Sequence, residues 1–149
     1  MTVRDLMTEN PQACSKNSSL QEVAKMMVDC DCGMIPVVEQ NGERKVVGTI
    51  TDRDITIRAV AKGKNPLDLN VGEVMSDNPI CISVDGSDEE AEKLMSRHQV
   101  RRLPVVDNNN VLVGIIAQAD IARKEPEGEA GEVVKNISKP SGGVRSQKR

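Results

Sequence analysis

Gly48-Thr49-Ile50-Thr51-Asp52-Arg53-Asp54 recurs, less completely, as Gly114-Ile115-Ile116-Ala117-Gln118-Ala119-Asp120. In each copy an apolar run opening with glycine turns polar at an Asp six residues on, the pattern of a buried strand handing over to a helix. A helix start presents unpaired backbone N–H groups, so an anionic or hydroxyl-rich ligand is best sought at this junction.

The repetition extends outward from it. Val3-Arg4-Asp5-Leu6-Met7-Thr8-Glu9-Asn10-Pro11 returns as Val71-Gly72-Glu73-Val74-Met75-Ser76-Asp77-Asn78-Pro79, an offset of 68. The same offset carries Ser19 onto Ser87, Met27 onto Met95 and Pro36-Val37-Val38 onto Pro104-Val105-Val106. From Gly48 onward the offset is 66, so the second copy has lost two residues. The loss falls where Gln40-Asn41-Gly42-Glu43 gives way to Asn108-Asn109-Asn110. Turns tolerate such a change, whereas a slip inside a strand would turn its core face outward.

Each copy predicts the same elements. A short helix or turn over 3–7 precedes Asn10-Pro11, and a short strand follows over 12–15. Ser19 with Glu22 forms a capping box, after which Leu20, Val23, Ala24, Met27 and Val28 follow the spacing of a one-sided helix. In the second copy Ser87 and Glu90 form the box, with Ala91, Leu94, Met95 and His98 on the inner stripe. Residues 34–39 and 45–51 read as a hairpin through Asn41-Gly42, and 52–61 as a closing helix stopped by Gly63 and Pro66. The fold class is therefore α+β, with the order β-α-β-β-α written twice, over residues 1–66 and 67–124. Neither copy is large enough to bury its sheet alone without aromatics, so the two are expected to pack as one pseudo-twofold body. Residues 125–149 form an acidic-then-basic tail, with a short helix expected over 131–138 and disorder elsewhere.

Composition restricts the function. The 149 residues include no Phe, Trp or Tyr, so the core must be built from aliphatic and Met side chains and no ring can stack a nucleobase. The net charge of −3 argues against a nucleic-acid partner. No stretch approaches the roughly 18 apolar residues of a membrane span, and no signal region opens the chain, which predicts a cytoplasmic protein. There Cys14, Cys30, Cys32 and Cys81 are expected to stay reduced.

With these motifs in place, the chain resembles a cystathionine-β-synthase (CBS) domain pair, or Bateman module. The resemblance is carried by Val3…Met7-Thr8…Pro11, Met34-Ile35-Pro36-Val37-Val38 and Gly48–Asp54, and by their second copies at Val71…Pro79, Arg102–Val106 and Gly114–Asp120. Within the family, residues 98–104 and 51–55 look most like the small stand-alone bacterial pairs of the hypoxic-response type. The family implies a regulatory sensor for an adenosine-containing ligand (AMP, ADP, ATP, NAD or S-adenosylmethionine) bound in clefts between the repeats. It also implies a homodimer of pairs that signals by conformational or oligomeric change to an effector protein, as in a stress response.

Chemistry gives the candidate residues their roles. Asp54 can accept two hydrogen bonds from the cis-diol of a ribose, and Thr51 offers a hydroxyl to a ribose or phosphate oxygen. The Asp54 charge repels phosphate, so Arg53, Arg101 and Arg102 are the cations expected at that end. The base would lie against Asn10, Pro11, Gln12, Ala13, Cys14, Met34, Ile35 and Pro36 in one cleft. In the other it would meet Asn78, Pro79, Ile80, Cys81, Leu103 and Pro104, with Asp120 below. A plain helix cap alone would also explain Thr51 and Asp54. Because Ala117 stands where the first copy has Thr51, the Asp120 cleft is expected to be the weaker.

An alternative reading is a zinc-binding or redox-responsive protein using Cys14, Cys30, Cys81 and His98, since Cys30 and His98 are equivalent in the repeat. The one-residue spacing of Cys30 and Cys32 is not that of a zinc knuckle. With no GxxxxGK loop and one histidine, the chain is not expected to be an enzyme.

Overall fold

The computed structural model describes residues 1–124; the expected tail and its helix over 131–138 lie outside the described residues. Two helices start at the predicted serine caps, each making the hydroxyl half of its box. After α1 (Val3–Leu6), α2 (Leu20–Cys30) begins at Ser19, whose hydroxyl accepts from Glu22 N at 3.1 Å. α4 (Asp88–His98) begins at Ser87, which accepts from Glu90 N at 3.1 Å.

The buried stripes are narrower than the periodicity implies. Leu20, Val23 and Met27 are buried, but Ala24 is exposed and Val28 is 77% exposed. At about 100° per residue, Val28 lies roughly 110° from the middle of the buried arc and faces water. In α4, Ala91 and Met95 are buried and Leu94 half-buried. His98 is exposed, because it ends the helix at the turn where Gln99 takes φ 54°.

Both hairpins form. β2 (Met34–Val38) pairs antiparallel with β3 (Val46–Thr51), and β5 (Arg102–Val106) with β6 (Leu112–Ala117). Their registers are equivalent: Met34 faces Thr51 as Arg102 faces Ala117, with an irregularity at Val37/Val38 and at Val105/Val106. The short strand expected before each first helix is reduced. Cys14 makes a single parallel bridge to Val37, while β4 (Ile82–Ser83) pairs in parallel with β5.

After β3 comes α3 (Asp52–Arg58), shorter than the expected 52–61. Three consecutive β-branched residues, Ile55, Thr56 and Ile57, weaken the helix, which ends at the fully buried Ala59. A single 3-10 turn over Val60–Lys62 then stops at Gly63, in the left-handed region at φ 74°. α5 (Gln118–Lys124) follows β6 in the same way.

The described chain forms two compact units that exchange their opening segments. One unit contains Met1–Pro11 with residues 80–124; the other is Gln12–Pro79. α1 (Val3–Leu6) and β1 (Thr8–Glu9) thus belong with the second repeat: β1 pairs with β6, Thr8 facing Ile115 and Glu9 facing Gly114, in a sheet ordered β1-β6-β5-β4. Val3 and Leu6 are buried there with Leu103, Ile116 and Ile121. Correspondingly, Ser76 bridges Thr49 of the first repeat, and Val71, Val74 and Met75 are buried with Leu20, Val23 and Ile50. The exchanges are equivalent in the repeat, since Thr8 corresponds to Ser76 and Ile115 to Thr49. Both cores consist of aliphatic and Met side chains, as the composition requires, with Cys14 and Cys32 added in the unit of Gln12–Pro79.

Candidate functional site

Thr51 ends β3 in extended backbone, φ −119° and ψ 161°, and caps α3. Its hydroxyl accepts from Asp54 N at 3.0 Å, while Thr51 N donates to Asp54 Oδ2 at 3.0 Å. This reciprocal box is the structural role a plain cap would have. The second carboxylate oxygen does something further. Asp54 Oδ1 lies 3.5 Å from Ser76 Oγ and 4.0 Å from Arg58 Nε, and the Asp54 side chain is only 13% exposed. A fixed, nearly buried carboxylate therefore keeps one oxygen with long-range partners only, beside a hydroxyl and a guanidinium.

Ser76 and Arg58 are the residues that sequence reasoning missed. Arg58 was detectable as the i+4 partner of Asp54. It also donates to Met75 O at 2.8 Å, tying α3 to the exchanged segment. Ser76 was detectable only as the repeat equivalent of Thr8, both hydroxyl residues.

In the other unit Asp120 does the same backbone work without a hydroxyl cap. Its Oδ2 accepts from Ala117 N at 2.8 Å, and its Oδ1 forms an ion pair with Arg123 Nη2 at 2.5 Å. Asp120 is 8% exposed. Its second oxygen thus has a short charged partner, unlike that of Asp54.

The remaining candidates divide between the units. Gln12, Ala13, Cys14, Met34, Ile35, Pro36 and Arg53 share a unit with Thr51 and Asp54. Cys14 and Pro36 touch directly, Cys14 N donating to Pro36 O at 3.0 Å, and Met34 faces Thr51 across the hairpin. Asn10 and Pro11, expected beside them, fall in the unit of Asp120, Ile80, Cys81, Arg101, Arg102, Leu103 and Pro104. The exchange point lies between Pro11 and Gln12, and at the equivalent place between Pro79 and Ile80. Arg53 is exposed on α3, and Arg101 contributes its carbonyl oxygen to Gln118 N at 2.8 Å.

The cysteines correct one expectation. Cys30 and Cys32 are joined by a disulfide, not held as thiols, because the chain reverses at Asp31 (φ 50°, ψ 50°) and brings their Cα atoms within 5.3 Å. In this arrangement the alternative metal set of Cys14, Cys30, Cys81 and His98 loses Cys30, whose sulfur is bonded to Cys32. Among the described residues no three His, Cys, Asp or Glu side chains gather as a ligand set.

Burial pushes the Cys14 thiol from 9.0 up to about 12, with Glu22 adding to the rise against the opposing backbone hydrogen bond. Burial likewise pushes Cys81 up to about 11. Both folded values lie above the unfolded one. Their contribution to stability is therefore complete below pH 9 and is lost as pH rises through about 11 and about 12. Each thiol removes up to about 1.4 kcal/mol per pH unit within its window. The chain has no tyrosine to obscure the thiolate absorbance band, so a spectroscopic pH titration of the native protein reads these groups directly. No thiolate should appear near pH 9; a full thiolate signal there would contradict the burial argument.

The CBS domain signature matches residues 3–60 and 71–127. The CBS domain-containing protein YhcV of Bacillus subtilis is 43% identical over 138 residues, covering 92% of this chain and 95% of that protein. The crystal structure of Hypoxic Response Protein I with two coordinated zinc ions superposes with a TM-score of 0.75 at 34% identity, covering 85% of this chain and 100% of that one. The CBS domain pair of protein MJ0100, in complex with 5-methylthioadenosine and S-adenosyl-L-methionine, gives 0.72 at 31% identity, covering 83% and 98%. Two signature matches, two equivalent hairpins and the duplicated strand-to-helix junction lead to one assignment: this chain belongs to the CBS domain family, as a tandem pair.

Proposed function

We propose that the chain is a regulatory sensor and that Thr51 and Asp54 bind the ribose of an adenosine-containing ligand. The observation carrying this reading is the second oxygen of Asp54, held in place by the capping box and lacking a short partner. A ribose diol donating to it would replace contacts at 3.5 and 4.0 Å with short charge-assisted bonds. The hydrogen of the Thr51 hydroxyl is not used in the box and can serve a further ligand oxygen. Arg53 supplies a cation on the same helix for phosphate. The adenosyl ligands of the MJ0100 pair support the ligand class. Asp120, already paired with Arg123, makes the weaker site. Homodimerisation and signalling to an effector protein in the cytoplasm complete the proposal.

The test is titration calorimetry with AMP, ATP and S-adenosylmethionine. Asp54→Ala should weaken binding by about tenfold or more, since bonds to a carboxylate contribute about 1.5–3 kcal/mol each. Asp54→Asn retains an acceptor for Thr51 N, so a similar loss there separates the missing charge from a damaged helix cap. Asp120→Ala should have the smaller effect, and equal losses would reject the ranking. Absence of binding by all three compounds to the wild type would reject the reading. Metal analysis of the same preparation addresses the zinc alternative, which the two zinc ions of Hypoxic Response Protein I keep relevant.

A further inference from the structure

The Cys30–Cys32 bond is not required for the turn that contains it. The second repeat makes the same turn with His98 and Val100 at the equivalent positions, neither able to form a disulfide. Its central residue Gln99 has φ 54° where Asp31 has φ 50°. Gln118 N donates to Arg101 O at 2.8 Å, as Asp52 N donates to Gly33 O at 3.0 Å. Closing so short a loop also removes little entropy from the unfolded chain, so the bond is a weak staple.

Its placement is selective. Cys30 is exposed at the end of α2, whereas Cys32 is 5% exposed and packs in the core with Met27 and Ile35. Immediately beyond, Gly33 holds the first residue of α3 through Asp52 N, and a Cβ on Gly33 would stand 2.9 Å from Asp52 Oδ2. Met34 then faces Thr51. A change at the sulfurs is thus one residue from the backbone contact that positions α3.

We propose that Cys30–Cys32 is a thiol–disulfide exchange site for low-molecular-weight thiols, and that its redox state controls the order of the α3 start. The thiolate of such a compound attacks the exposed Cys30 Sγ. The S–S bond breaks, its electron pair goes to Cys32 Sγ, and that sulfur takes a proton. A second thiolate attacks the external sulfur of the mixed disulfide, releasing the symmetrical disulfide and a Cys30 thiolate, which is protonated. Two external thiols are oxidised while the protein disulfide gains two electrons and two protons. In this structure Cys30 Sγ lies 3.9 Å from Met27 O, an acceptor at hand for the thiol that reduction creates. Oxidation is the reverse, with the external disulfide as oxidant.

The experiment equilibrates the full chain with reduced and oxidised glutathione at several ratios, traps thiols by alkylation and maps peptides by mass spectrometry. Cys30 and Cys32 should interconvert together while Cys14 and Cys81 remain thiols throughout. Cys32→Ser should accumulate glutathione on Cys30, and Cys30→Ser should leave Cys32 unmodified. Alkylation of both residues under excess oxidised glutathione, or an adduct on Cys32 as readily as on Cys30, would overturn the site. Hydrogen exchange reads the second half of the proposal. Reduction should speed exchange of the Asp52 amide several-fold and leave the equivalent Gln118 amide unchanged; equal exchange of Asp52 in both forms would overturn the coupling. These readouts are independent of whether Thr51 and Asp54 bind an adenosine ligand.

Discussion

Deleting Met1–Glu9 should unfold the half of the molecule written by the second repeat, residues 80–124, and spare the hairpin of the first. The deletion removes Val3 and Leu6, 0% and 6% exposed, from the core that holds Leu103, Ile116 and Ile121. Burial of two such side chains contributes about 1.5–3 kcal/mol each, before the pairing of β1 with β6 is counted. That is a large part of the about 5–15 kcal/mol that stabilises an ordinary domain. Hydrogen exchange should show protection lost across β5 and β6 and retained in β2 and β3. Preferential loss in β2 and β3 would show that the opening segment serves its own repeat. Point variants give the same contrast more gently: Val3→Ala should loosen β5 and β6, and Val71→Ala should loosen β2 and β3, by about 1–3 kcal/mol each.

Gly48→Ala should destabilise the unit of Gln12–Pro79 by about 1–3 kcal/mol through overpacking. A Cβ there would stand 2.5 Å from Ser76 O, a backbone atom that cannot swing aside without breaking the pair of 2.9 Å bonds between Thr49 and Ser76. Gly114→Ala acts on the equivalent contact, with Met7 Sδ at 2.5 Å and Thr8 O at 2.9 Å. Here the nearest atom belongs to a flexible side chain, so the loss should be smaller. Chemical denaturation followed by far-ultraviolet circular dichroism measures both, and a neutral Gly48→Ala would refute the close approach. Gly42→Ala is the comparison: at φ 87° with no atom within 4 Å, it should lose only about 1 kcal/mol of backbone preference.

The glycine opening each strand-to-helix stretch shows how far sequence carries the account. Its repetition at Gly48 and Gly114 was visible, but its reason was not, because the atoms it accommodates lie in segments from the other repeat. The aspartates behave alike. Asp54 and Asp120 occupy equivalent positions and cap equivalent helices, and Thr51 against Ala117 already distinguished them. The larger difference comes from the distances to their neighbours, which spacing alone does not give: Ser76 and Arg58 stand 3.5 and 4.0 Å from Asp54 Oδ1, whereas Arg123 pairs closely with Asp120. The outward position of Val28 and the exposure of His98 also escaped the periodicity, which specifies a direction around a helix but not where the core ends.

Sequence by itself determined the duplication, the hairpins, the capping residues that start α2, α3 and α4, and the family. These are local features, set by hydrogen bonds and side-chain periodicity within a few residues. Tertiary structure alone decided which opening segment completes which unit. Val3–Pro11 and Val71–Pro79 are near copies, so either has the composition to cover either sheet edge, and only the three-dimensional path of the chain distinguishes them. The same applies to Cys30 and Cys32: their spacing was plain, but the left-handed turn at Asp31 brings the sulfurs together beside the strand that faces Thr51.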